Sequence, residues 1–196
     1  MRIITIPHQT LRQATQPVTV VDKKLHEFIA NLEQTLAEKD NPRGVGLAAP
    51  QVDKAWRIFT TQLSPTGSEK GRAVLRSYIN PEIIDRSEEV VYGPTPDKPR
   101  LEGCLSIPNI YGPVPRWRWV KLKYSTIQNS QLVPQEEVFR DFAARVVQHE
   151  YDHLFGKLFI DYSAELGLPL YREGEDGELI ELSPDLVNAV MAQSQA

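Results

Sequence analysis

The segment Gln148-His149-Glu150-Tyr151-Asp152-His153 constrains this chain more than any other. On a helix, residues i and i+4 lie one turn apart on one face, so His149 and His153 can ligate a single metal ion. Glu150 projects from the adjacent surface and can reach a water at that metal without ligating it. That is the mechanical content of H-E-x-x-H. The chain has four histidines in 196 residues, and two of them stand here. Chance would produce the pattern in fewer than about one such chain in a hundred. Phe142, Val146, His149 and His153 keep helical spacing, which predicts a helix over about 141–155 with Gly156 as its glycine cap.

Two protein ligands do not complete a catalytic site; three are usual, with one position left for water or substrate. The glycine-extended protease pattern is matched through Gly156, but Phe159 occupies the place of its third histidine. A downstream carboxylate, Glu165 or Glu173, would suit a thermolysin-like arrangement. The other candidate is the sole cysteine, Cys104. A lone Cys is often an inert buried hydrophobe. Here it sits among small and polar residues, Glu102-Gly103-Cys104-Leu105-Ser106, and a thiolate beside a divalent cation is a soft ligand. A third segment, Gly44-Val45-Gly46-Leu47-Ala48-Ala49-Pro50-Gln51, reads as a loop that lets backbone pass close to a ligand. It ends in an amide that can donate a hydrogen bond. It lacks the Lys-Ser/Thr of a phosphate loop.

Lys plus Arg total 22 and Asp plus Glu total 26, a formal net charge of −4. That balance argues against wholesale electrostatic binding of nucleic acid. One cysteine forms no internal disulfide. No stretch approaches the roughly 18 apolar residues that span a bilayer, and Met1 to Pro7 is too short an apolar run for a signal peptide. The expectation is a reduced, cytoplasmic protein without membrane association. Asp22 followed by Leu25, Phe28, Ile29, Leu32 and Leu36 predicts a capped amphipathic helix over about 22–39. Trp56 to Leu63, Arg72 to Ile79 and Ile83 to Tyr92 read as three strands, with a polar loop at 64–71. The prolines of 93–99 exclude regular structure there. Arg116 to Tyr124 alternates basic with apolar residues, slipping one place at Trp119-Val120. It reads as an ordinary amphipathic strand with a bulge rather than a platform for stacked nucleotides. Ser183-Pro184-Asp185 opens a last helix with Leu186, Val187, Val190 and Met191 on its apolar face. Segregated strands and helices predict an α+β fold, with mixed or antiparallel strands packed around a central helix carrying H-E-x-x-H and a further C-terminal helix.

Taken together and in this order, GVGLAAPQ at 44–51, EGCLS at 102–106 and QHEYDH at 148–153 resemble the peptide deformylase motifs in full. The resemblance covers roughly residues 1–162. It implies a single catalytic domain at 1–163 and an acidic extension with a terminal helix at 164–196. It implies that Cys104, His149 and His153 hold one divalent metal ion, typically Fe2+, with Ni2+, Co2+ or Zn2+ substituting. Glu150 would be the general acid/base, with the Gln51 side chain and the Leu105 backbone N–H facing the oxyanion. Gly46 would hydrogen-bond the substrate backbone, while Val45, Phe142 and Val146 line the pocket for the first side chain. The implied substrates are N-formyl-methionyl nascent peptides, which lose formate, and the ribosome is a further partner through an unspecified surface. Asp152 is expected to orient a histidine or pair with an arginine. Three features depart from the family. Asp141 stands where a glycine is usual. The 58-residue separation of Gly46 from Cys104 is long, with the surplus expected in loops 64–71 and 93–100. From Glu165 onward there are seven acids and one base, so docking on the ribosome through a basic helix does not carry over. Two rival readings are a zincin-type endopeptidase using Glu165 or Glu173, and an inactive metal-binding homologue. Intact Glu150, Gln51 and Gly46 count against the second.

Overall fold

A computed structural model describes residues 1–64, 73–93, 98–174 and 176–195. Helix α1 (Lys23–Ala37) starts where the Asp22 carboxylate accepts the Leu25 N–H at 2.8 Å, satisfying a donor the helix cannot. Its buried stripe is Leu25, Phe28, Leu32 and Leu36, the spacing read from the sequence. Then come β1 (Gly46–Ala48), β2 (Ile58–Leu63), β3 (Val74–Arg86), β4 (Val90–Val91), β5 (Leu101–Cys104) and β6 (Ile107–Pro113). They are followed by β7 (Arg116–Trp117), β8 (Trp119–Gln128), β9 (Gln131–Arg140), α2 (Asp141–His153) and α3 (Phe159–Leu166). The chain closes with β10 (Tyr171–Glu173), β11 (Leu179–Glu181) and α4 (Pro184–Gln195).

The fold is α+β. One antiparallel sheet runs β1-β2-β3-β8-β9, a second runs β11-β10-β6-β5, and β4 pairs with β7. β1 and β5 therefore each end a sheet. Helix α1 packs Leu25, Leu32 and Leu36 against Leu47, Ile58 and Ile79. Helix α2 packs Ala143, Ala144 and Val147 against Phe59, Tyr78, Val120 and Leu122 of the first sheet. Each such large apolar side chain contributes about 1.5–3 kcal/mol when fully buried. A third cluster joins Ile107 and Val114 to Leu158, Phe159 and Ile160, and Val187, Val190 and Met191 of α4 pack on it. Helix α3 runs through position 163, and β10 pairs with β6, so the tail packs on the body.

Two strand expectations need correction. The segments 72–79 and 83–92 are not separate strands, because β3 runs unbroken from Val74 to Arg86. Its register shifts between Ile79 and Glu82, where Asn80 takes φ +51°. The Asn80 side chain there accepts from Val18 N–H at 2.8 Å and donates to Val18 C=O at 2.7 Å. Pro81 thus sits in a bulge, where a strand tolerates it. The stretch 116–124 is two strands in two sheets, divided at Arg118 rather than slipping at Trp119. The Gln148 amide bonds both the N–H and C=O of Trp117 at 2.9 Å, taking the place of a neighbouring strand. Most of the expected loop surplus, at 65–71 and 94–97, lies outside the described residues, as does Arg72 at the start of the expected strand.

No loop separates β9 from α2. The chain turns at Asp141, which has φ +49°, the left-handed region that glycine enters freely and Asp enters at a cost. This turn aims α2 so that one face meets the sheet while Val146, His149 and Glu150 line a cleft.

Candidate metal centre and active site

Cys104 ends β5, at a register shift just before the turn into β6. Its Sγ lies 3.3 Å from His153 Nε2. The potential ligand atoms of Cys104, His149 and His153 all lie within 4.8 Å of one another. The two imidazoles, one turn apart on α2, have centroids 5.1 Å apart and planes at 81°. Sγ accepts from Gln51 Nε2 and from Ser106 N–H, both at 3.4 Å. One soft and two borderline donors converging this closely fit a divalent transition-metal ion.

Gln51 is held at both ends. Its Oε1 accepts from Ala48 N–H at 2.8 Å, and its Nε2 also reaches Ser106 Oγ at 3.2 Å. The first contact closes the turn after β1, which is why the amide of this motif points at Cys104.

Behind the imidazoles lies a buried ionic network that the sequence reading missed. Glu102, with a side chain 5 % exposed, contacts His149 Nδ1 at 2.9 Å through Oε2. It also accepts the Arg116 fork at 2.9 and 2.8 Å and Arg145 at 2.7 Å. Burial disfavours its charge, yet Arg116 and His149 hold the carboxyl well below the usual carboxylate range. With Nδ1 engaged, His149 keeps Nε2 free for a metal. Arg116 reaches on to Asp152 at 2.6 Å, and Tyr162 O–H donates to the same carboxylate at 3.1 Å. Of the two expectations for Asp152, the arginine pair is the one found, and Glu102 takes the histidine. Glu102 could have been suspected from its place two residues before the cysteine. Arg145 could have been suspected from its place one helical turn before His149.

Glu150 is 4 % exposed, and its Oε2 has no hydrogen-bond partner. Burial pushes its carboxyl up to about 7. Gly46 makes room for it, since a Cβ at that position would stand 2.7 Å from Glu150 Cγ. The cleft in front holds about 150 Å³, comparable to a cavity that accepts benzene. Val45, Gly46, Gln51, Leu105, Phe142 and Val146 line it together with Cys104, His149 and Glu150. Of the residues expected to bind metal or substrate or to act on it, His153 alone is not in its wall. The rival ligands lie elsewhere. Glu165 pairs with Lys157 at 3.1 Å, and Glu173 accepts from Tyr111 O–H at 3.2 Å. Among the described residues neither joins the converging donors.

The sequence profile of the polypeptide deformylase family matches residues 1–167. The chain belongs to this family. It is 38% identical over 158 residues to peptide deformylase 1 of Bacillus subtilis, covering 81% of this chain and 86% of that one. The peptide deformylase of Rhodopirellula baltica is 40% identical over 169 residues, with 86% and 75% covered. The Met-Ala-Ser-bound class I type b peptide deformylase of Acinetobacter baumannii aligns with a TM-score of 0.70 at 32% identity, covering 83% of this chain and 97% of that one. The two antiparallel sheets and four helices are thus the peptide deformylase fold. Peptide deformylases are metal-dependent hydrolases that remove the N-formyl group from nascent polypeptides, and this chain is one of them by fold and sequence. No described helix is long and apolar enough to cross a membrane.

Proposed function

We propose that Cys104, His149 and His153 hold one divalent metal ion, Fe2+ in the native protein and replaceable by Ni2+, Co2+ or Zn2+. At this centre N-formyl-methionyl peptides lose formate with Glu150 as the general acid/base. The observation that carries this is the buried Glu150 carboxylate, with an unpartnered oxygen, beside three converging ligand atoms. When bound, the metal supplies Lewis acidity and an activated water. Glu150 would hold and pass the proton at its free oxygen, from the attacking water to the leaving amine nitrogen. A carboxyl near 7 suits a group that must gain and lose a proton at neutral pH.

Gln51 Nε2, which points at Sγ, and the Leu105 backbone N–H are the donors assigned to the oxyanion. Losing one such donor costs roughly a hundredfold in rate. Val45, Phe142 and Val146 take the first side chain, methionine. The free edges of β1 and β5 flank the cleft, so an extended peptide can bond to Gly46 as an added strand. On this reading α2 is the central helix, residues 1–163 form the catalytic unit, and 164–196 form an acidic extension. The enzyme works in the cytoplasm, on chains emerging from the ribosome.

Iron- or nickel-loaded protein, kept reduced, should release formate from formyl-Met-Ala-Ser. Glu150→Ala should keep the metal and lose turnover. No formate from correctly metallated protein would mark an inactive homologue, and metal loss in Glu150→Ala would show a misassigned ligand.

A further inference from the structure

A second cleft, of about 240 Å³, shares Gly103, Cys104 and Leu105 with the first. The two adjoin along the end of β5. Among the described residues its charged lining is Lys39 and Arg43, with no carboxylate. Neither cation forms an ion pair among the described residues. The acids nearest in sequence or contact are otherwise engaged or outside the lining. Glu38 accepts from the Gln34 amide at 2.8 Å, and Glu173 accepts from Tyr111 at 3.2 Å. Asp40 is exposed, and its backbone bridges to Arg43. A basic cleft is unexpected on a chain of net charge −4.

The path of a substrate leads there. With the formyl group at Cys104 and Glu150 and the first side chain against Val45, Phe142 and Val146, a chain continuing toward the end of β5 passes Gly103 and Leu105, which both clefts share. An extended chain advances about 3.3 Å per residue, so one or two residues cross this ridge. Gly103 keeps the ridge low: a Cβ there would meet Tyr111 ring carbons at 2.8 and 2.9 Å.

We propose that the Lys39–Arg43 cleft is a subsite for the second and third substrate residues and selects acidic side chains there. The proposal rests on the deformylase reading and adds a charge preference to it. Solvent-accessible ion pairs have modest energies that salt screens. The expected preference in kcat/KM for formyl-Met-Asp-Glu over formyl-Met-Lys-Lys is therefore about three- to tenfold at low ionic strength.

The test compares these two peptides and formyl-Met-Ala-Ser on the metal-loaded wild type and on Lys39→Gln/Arg43→Gln. The double variant should lose the preference through KM for the charged peptides, while its metal content and its Tm stay at the wild-type values. In the wild type the preference should shrink as salt is raised. Equal kcat/KM for both charged peptides in the wild type, or a preference that survives the double substitution, overturns the proposal. Hydrolysis of formyl-Met-Ala-Ser without any charge preference sinks the subsite alone and leaves the deformylase reading standing. Binding of deformylated Met-Asp-Glu and Met-Lys-Lys, measured by calorimetry, reads the same preference without turnover.

Discussion

Gly46→Ala is the substitution whose effect the geometry fixes most closely. The new Cβ would lie 2.7 Å from Glu150 Cγ and 2.6 Å from its Cδ. The strand cannot easily retreat, because Gly46, Leu47 and Ala48 are all paired with β2 and all buried. The carboxylate must therefore move. Overpacking of this kind costs about 1–3 kcal/mol. For a chain of this length that lowers Tm by roughly 2–4 °C per kcal/mol, about 2–12 °C in all. Displacing a reacting group by about 1 Å costs about a hundredfold in rate, so kcat should fall by that order. Metal content should stay at the wild-type level, since the clash involves none of Cys104, His149 or His153. Thermal melting, metal analysis and formate release from formyl-Met-Ala-Ser read the three effects separately. A variant with wild-type Tm and kcat would refute the reasoning. One that lost metal at unchanged kcat per bound ion would show that Gly46 spaces the ligands rather than the base.

Other outcomes follow from the same contacts. Glu102→Gln leaves Arg116 and Arg145 buried without their shared carboxylate, which should lower the unfolding free energy in urea by about 3–5 kcal/mol. The same change frees His149 Nδ1 from its charged partner and should weaken metal binding about 10–100-fold in a chelator competition. Gly156→Ala puts a side chain at φ +71°, with its Cβ 2.5 Å from the Arg12 carbonyl oxygen. Strain of this kind costs about 1–3 kcal/mol, and differential scanning calorimetry should show the lower Tm.

How far the sequence foretold this molecule depends on whether a residue's role was local. The α1 stripe and its Asp22 cap are local, and so is the i, i+4 histidine pair; each was legible. The last helix announced itself through Ser183-Pro184-Asp185. Strand β9 did not, because only Phe139 is buried along it and Pro134 interrupts its pattern, as suits the edge of a sheet. Asn80-Pro81 looked like a break between strands, but Val18, distant in sequence, turns it into a bulge. Trp117 and Trp119 fall in different sheets because the Gln148 amide, on another element, occupies the Trp117 backbone. At the site, the three ligands and Glu150 stood in motifs. The Glu102 network is built by contacts between residues 14 to 47 positions apart, which no local pattern encodes.

That one thiolate and two imidazoles grip the same cation is tested most directly by metal content after anaerobic purification. Wild type, Glu165→Ala and Glu173→Ala should each carry about one ion per chain by mass spectrometry, and Cys104→Ala should carry almost none. Full metal retention in Cys104→Ala, with loss on replacing Glu165 or Glu173, would contradict the assignment of the third ligand.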